Sequence, residues 1–260
     1  MRPFGLILLP IMNQKVVTSA GLGGANPGAA AAAEINVLSA GAIEPGLVAA
    51  AEAFRKESGR DVKITWATTP AIRKRVGDGD TVDVVIVPPA VVDDLAQDGK
   101  VVGQDRVYVG RVGIGVVVHE RAPVPDISSV DALKRAVLDA ESVVFNRASS
   151  GLYVEELFKK MGIFGQIQAK TTRYGNGPAM MEHLINGKGR EIGFGAIIEI
   201  LLFRGQGLRL AGPLPPEIQH HTTYMAVPMT AAPNAEGAKR FTRYLATPAA
   251  KALFAAHGID

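Results

Sequence analysis

The sequence has no cysteine among its 260 residues. A disulfide framework, a thiolate metal site and a cysteine nucleophile are thereby excluded. Charge of one sign is also scarce: 28 Lys and Arg face 25 Asp and Glu, a net +3, with no cationic cluster of the kind a nucleic-acid surface needs. Only five histidines occur, His119, His183, His220, His221 and His257, and none has the H-E-x-x-H spacing of a metal site. His220 and His221 are adjacent and so face opposite sides of a strand; no metal and no cofactor is expected. A Gly-x-Ser-x-Gly elbow is lacking, and Gly113-Ile114-Gly115 lacks the third glycine and the helix of a dinucleotide fingerprint. Gly21-Leu22-Gly23-Gly24 falls in the N-terminal segment, outside any βαβ unit. No run of about 18 apolar residues is available to span a membrane. What the chain has in plenty is apolar surface, 47% of residues, which excludes a disordered chain.

Residues 1–33 differ from the rest. Arg2, the apolar run Phe4–Met12 and Ala31-Ala32-Ala33 supply in order the cation, apolar segment and small residues of a secretory leader, although Asn13, Gln14 and Lys15 interrupt it. Met12 is an alternative start with Lys15 as the cation, and a simple N-terminal tail is the competing reading. A cleaved leader predicts a periplasmic protein.

From Glu34 the pattern is βαβ. Ile35–Leu38, Val62–Trp66 and Val82–Val87 are β-branched runs of strand length, each followed by a helical pattern. Leu47, Ala51 and Phe54 recur at i, i+4 and i+7 between Pro45 and Gly59. Val82–Val87 is nearly continuous, as in a strand covered on both faces. Val107–His119 reads as a long strand or strand pair passing between sheets, and Ser128 with Asp131 reads as a loose capping box. A second α/β block follows, with strands at Val143–Phe145 and Glu191–Phe194 and helices at Gly151–Met161 and Met180–Ile185. Thr222–Val227 is a last strand before two helices, the second opened by Thr247-Pro248 and closed at Gly258. The predicted fold is α/β and two-lobed, each lobe a mostly parallel sheet flanked by helices, with a double crossover. Lobe I comprises 34–112 and 222–260, and lobe II 113–221. Ligands of such sheets gather at the carboxyl ends of the strands.

Four loops there are built from small or hydroxyl residues: Ser39-Ala40-Gly41-Ala42-Ile43, Thr68-Thr69-Pro70, Asn146-Arg147-Ala148-Ser149-Ser150-Gly151 and Gly175-Asn176-Gly177-Pro178. Each precedes a helix, where free N–H groups and the positive end of the dipole favour an anion. Ser, Thr and Asn also cap helices for stability alone. Cations near these loops are Arg73, Lys74 and Arg75, which read as a solvated helix face, then Arg111, Arg147 and Arg173. Arg111 interrupts an apolar strand and Arg147 sits inside the third loop, so both are candidate carboxylate clamps. Trp66 and Met180-Met181 read as core.

This order of segments resembles the type II periplasmic substrate-binding proteins of ABC transporters over Ile35–Asp260. Val37-Leu38-Ser39-Ala40-Gly41-Ala42, Trp66-Ala67-Thr68-Thr69, Asp83-Val84-Val85-Ile86 and Gly193-Phe194-Gly195 look most like the molybdate-binding group. The resemblance implies an oxyanion held by hydroxyls and backbone N–H groups, at Ser39, Ala42, Thr69, Ser149, Gly177 and Ala196 here. Ala42 stands where that group typically has a serine and Ala196 where it often has a tyrosine, so two donors are missing. Glu199-Ile200-Leu201 and Gly212–Gln219 look like a carboxylate-binding, aconitate-isomerase-like branch. With Thr68, Ser150, Asn176, Arg111 and Arg147 added, the predicted ligand is an organic di- or tricarboxylate. The implied partner is a membrane permease, and the implied state a monomer.

Two functions from different classes follow from the resemblance. One is an extracytoplasmic solute-binding protein. The other is an aconitate-type isomerase moving a proton across an allylic system, with Glu44, His221 or Tyr224 as base and Arg111 or Arg147 as clamp. A regulator's sensing domain is disfavoured, since no helix-turn-helix precedes the lobes.

Overall fold

The computed structural model describes residues 34–188 and 190–260. The leader and its two starts lie outside the described residues, as does Gly21–Gly24.

The chain begins as β1 (Ile35–Ala40), a 3-10 turn Gly41–Ile43, α1 (Glu44–Ser58), β2 (Val62–Ala67), α2 (Thr69–Gly77), β3 (Val84–Val87) and α3 (Pro89–Gln97). β4 (Val107–His119) follows, then α4 (Val130–Asp139), β5 (Ser142–Asn146), α5 (Ser149–Lys160) and the single turn α6 (Phe164–Ile167). Next come β6 (Thr171–Tyr174), α7 (Gly177–Ile185), β7 (Glu191–Ala196), α8 (Ile197–Leu202) and β8 (Leu208–Pro213). β9 (His221–Pro228), α9 (Ala235–Leu245) and α10 (Pro248–Ala256) complete the fold.

The mixed α/β architecture is a sheet of order β2-β1-β3-β9-β4-β7-β5-β6, with β8 on the far half of β4. β1 runs parallel to β2 and β3, and β5 parallel to β6 and β7. These two parallel blocks are joined through antiparallel strands. β4 is one continuous strand, not a pair: Val107–Gly113 pairs β9, and Ile114–His119 pairs β7 and β8. β3 pairs β1 in parallel but β9 antiparallel, and all four of its residues are buried.

Two hydrophobic clusters result. One joins β1–β3 and their helices to Tyr224, Ala226 and Val227 of β9 and to Phe241, Leu245 and Phe254 of the last two helices. The other, from Ile114 to Leu214, centres on Phe145, Phe158 and Phe194, stacked edge to face. Met180 and Met181 are fully buried in it, and Trp66 packs against the first cluster.

Local chemistry fixes most boundaries. Thr247 accepts from the Ala250 N–H at 3.3 Å and opens α10, with Pro248 in its first turn. The capping serine of α4 is Ser129, not Ser128. Ser129 accepts from the Ala132 N–H at 3.1 Å, whereas the Ser128 hydroxyl and N–H both donate to Asp126 in a local turn.

Candidate functional site

A helix follows each of the six parallel strands, and contacts across the two cores join the start of α2 to that of α5 and the start of α8 to those of α1 and α7. Thr69 opens α2 after β2, and Ser149 opens α5 after β5. The Ser149 hydroxyl donates to the Thr69 hydroxyl at 3.2 Å, joining positions 80 residues apart and helix starts from opposite cores. A cleft of about 780 Å3 opens beside this contact, lined among others by Thr69, Arg73, Lys74, Ser149, His220 and Thr222. His220 is held there by stacking on Tyr153, ring centroids 4.4 Å apart, while the Tyr153 hydroxyl donates to the Ile218 carbonyl at 2.9 Å. Burial and then neighbouring His221 push the His220 pKa down, which favours the neutral imidazole.

The most unusual group is Glu199, on the first turn of α8. Its carboxylate lies 3.6 Å from the Cβ position of Gly41 and directly against Gly177, so it touches the β1–α1 turn and the start of α7 together. Burial, then the charge of Glu44 at the start of α1, raise its pKa to about 7. The Tyr224 phenol on β9 is pushed up by burial and next by the Glu199 charge, with the Thr222 hydroxyl acting in the opposite sense. A free carboxylate at a helix N-terminus is ordinarily stabilised. Here loss of water and a like charge outweigh the dipole.

The sequence candidates fall into three groups. Thr69, Ser149, Gly177, Glu44 and Tyr224 surround the convergence. Thr68 is half-buried just before α2 and its side chain does not cap the helix. Ser150 is buried in the first turn of α5. Asn176 caps α7 by accepting from the Ala179 N–H at 2.9 Å. Ser39 is fully buried on β1 with its hydroxyl donating to the Ala40 carbonyl, and Ala42 and Ala196 are buried methyl groups. His221 lies on the opposite face of β9 from Thr222 and Tyr224, its ring against Gly113.

Of the cations, Arg73 and Arg75 lie on a solvated helix face as expected, and the two clamp candidates are Arg111 and Arg147. Arg111 pairs with Asp260 at 3.9 Å, Arg73 with Asp94 at 2.9 Å, Arg75 with Asp80 at 2.6 Å, and Arg173 with Glu155. Arg147 is exposed and makes no ion pair with a described residue; its backbone N–H donates to the Tyr174 carbonyl at 2.9 Å. Glu199 is the residue that reading by loops passes over as a site group. Its signal was a lone charge in the otherwise apolar Ile197–Leu202.

Two helix-start glycines are constrained in different ways. A Cβ on Gly151 would drive into the Asn146 carbonyl, which is backbone and cannot yield. A Cβ on Gly177 would stand 2.8 Å from Glu199 Cδ, the end of a flexible side chain. Gly177→Ala is therefore expected to change stability by under about 1 kcal/mol while displacing Glu199 and weakening anion binding about tenfold, roughly 1.4 kcal/mol. Paired chemical denaturation and ligand titration check both halves.

Convergent helix starts in an α/β chain with two cores joined by shared strands define the periplasmic-binding-protein fold. The model of bacterial extracellular solute-binding proteins matches residues 35–260, and the chain belongs to that family. An aconitate isomerase from a Pseudomonas species is 30% identical over 227 residues, covering 84% of this chain and 85% of its own. Among solved structures, the periplasmic molybdate-binding protein of Azotobacter vinelandii superposes with a TM-score of 0.73 at 16% identity, over 87% of this chain and 98% of that one. The sulfate-binding protein of Mycobacterium tuberculosis gives 0.69 at 18% identity, over 87% and 86%.

Proposed function

We propose that the protein is exported, binds a small organic di- or tricarboxylate in the cleft and hands it to the permease of an ABC transporter, acting as a monomer. The observation that carries this reading is the Ser149–Thr69 contact, which brings helix N-termini of both cores to one place. Unsatisfied N–H groups at such termini hold anions without counter-charge. The solved relatives named above bind molybdate and sulfate. Buried methyl groups at Ala42 and Ala196 remove two hydroxyls from the set that such oxyanions use, which favours a carboxylate. In this reading 34–112 with 222–260 and 113–221 are the two lobes that close on the ligand, and residues 1–33 are the leader.

A thermal-shift panel of tricarballylate, citrate, trans-aconitate, sulfate, molybdate and phosphate tests it. At about 100 times Kd a ligand adds about 2.7 kcal/mol, which raises Tm by about 5–10 °C in a chain of this size. A flat response to every carboxylate overturns the reading. Mass spectrometry of the exported protein reads the mature N-terminus.

A second reading is favoured by the relative at 30% identity together with Glu199, held between Gly41 and Gly177, and its neighbour Tyr224. In it the same site isomerises an unsaturated tricarboxylate: a base takes an allylic C–H proton, the double bond shifts, and the proton returns at the other end of the allylic system. Substrate and product have the same atoms. Incubation with trans-aconitate in deuterated water, followed by NMR, separates a catalyst from a binder.

A further inference from the structure

We propose that the cleft takes up one proton with each anion it binds, the proton being shared between the Glu199 carboxyl and a carboxylate of the ligand. This deepens the carboxylate reading above and rests on it.

The position of Glu199 carries the inference. Its carboxylate is wedged between two glycines, Gly41 and Gly177, that belong to helix starts on either side of the convergence. An anion held by the N–H groups of those starts meets this carboxyl directly. Two full negative charges in contact inside a cleft repel strongly, whereas a carboxylic acid donating to a carboxylate forms a short, charge-assisted hydrogen bond.

The donor so created falls where two are missing. Glu199 stands on the helix that begins after Ala196, and its carboxylate touches the turn containing Ala42. An O–H on Glu199 would supply from one side chain what neither alanine offers.

The surrounding groups keep a proton on the carboxyl pair rather than on a neighbouring base. From α1 the carboxylate faces Glu44, a like charge, and from β9 the Tyr224 phenol, itself held protonated. His220, just before β9, has its pKa pushed down by burial and then by His221. The cations flanking the cleft, Arg73 and Lys74, are paired with Asp94 and Asp78. Near pH 7 the free protein holds Glu199 about half protonated, so uptake is fractional there and approaches one proton at higher pH.

Isothermal titration with tricarballylate and with trans-aconitate, between pH 7.5 and 9 and in two buffers of different ionisation heat, tests this. That window lies above the ordinary carboxyl range of the probes themselves. The expected result is uptake approaching one proton and a Kd that rises about tenfold per pH unit above pH 8. E199Q, neutral and still a donor, is expected to bind with a pH-independent Kd close to that of the acid form. Binding without proton uptake, or an E199Q profile as steep as the wild type, overturns the inference and leaves the carboxylate reading standing. Absence of heat with both probes overturns both.

Discussion

Replacing Glu199 with glutamine raises the stability of the unliganded protein at pH 8 by about 3 kcal/mol and leaves it unchanged at pH 4. The sign follows from linkage. The folded-state pKa of Glu199 is raised from 4.5 to about 7, so the folded form disfavours the charged carboxylate more than the unfolded chain does. Below pH 4.5 both states hold the proton, and wild type and variant are alike. As pH climbs from 4.5 to 7, the unfolded chain releases the proton first and wild-type stability falls; above 7 the difference stays constant. Glutamine has no charge to form and escapes the whole loss. Urea denaturation at the two pH values measures it, and equal midpoints at pH 8 would show that Glu199 is not strained by burial. The wild-type residue is therefore a standing destabilisation between the starts of two helices, a pattern more often found in functional groups than in structural ones.

The opposite result is expected at Asp83. Replacing it with alanine lowers stability by about 3–4 kcal/mol and Tm by about 6–16 °C. Asp83 is completely buried just ahead of β3. One carboxylate oxygen accepts from the Asn36 N–H at 2.7 Å and the other from the Asn234 N–H at 2.6 Å. Its own backbone takes up the Asn36 carbonyl at 2.8 Å and receives the Met229 N–H at 3.0 Å. The side chain thus fastens the start of β1 to the entry to α9 while the backbone holds the end of β9, and loss of the side chain strands two part-buried donors. These contacts lie at the amino ends of β1 and β3, away from the helix starts, so Kd for a cleft ligand should stay within about twofold. Denaturation curves and ligand titration of the variant measure the two quantities independently. A midpoint shift of less than about 1 kcal/mol would contradict the assignment.

The strands β1, β2, β3 and β4 were legible in the sequence as β-branched runs, continuous at β3 because it is buried on both faces and alternating at the edge strand β2. α10 was legible from its cap and stop residues. β6 was not, since Thr171–Tyr174 is a partly exposed strand at the sheet edge with no apolar alternation. α8 escaped because six residues are too few for a helical period. Within the site, Thr69, Ser149 and Gly177 could be found because helix starts have a local signature. The arginines could not be placed, because Arg111 faces Asp260 and Arg173 pairs with Glu155, partners that local spacing does not reveal. Glu199 acquires its chemistry from Gly41, Glu44, Gly177 and Tyr224, which only the tertiary fold assembles.

The way β9 inserts between β3 and β4 has a consequence for the order in which the chain can fold. The Ile114–Leu214 core is contiguous, so it can be completed as soon as its own residues are available. The other core needs Tyr224–Ile259 to close over β1–β3. Until then Val84–Val87 offers an unpaired apolar edge, a template for mispairing with other chains. Contacts such as Asn234 on Asp83, 151 residues apart, make this closure slow relative to local structure. Refolding should therefore proceed in two stages, with the discontinuous core second, and losses to aggregation should concentrate in the interval between them.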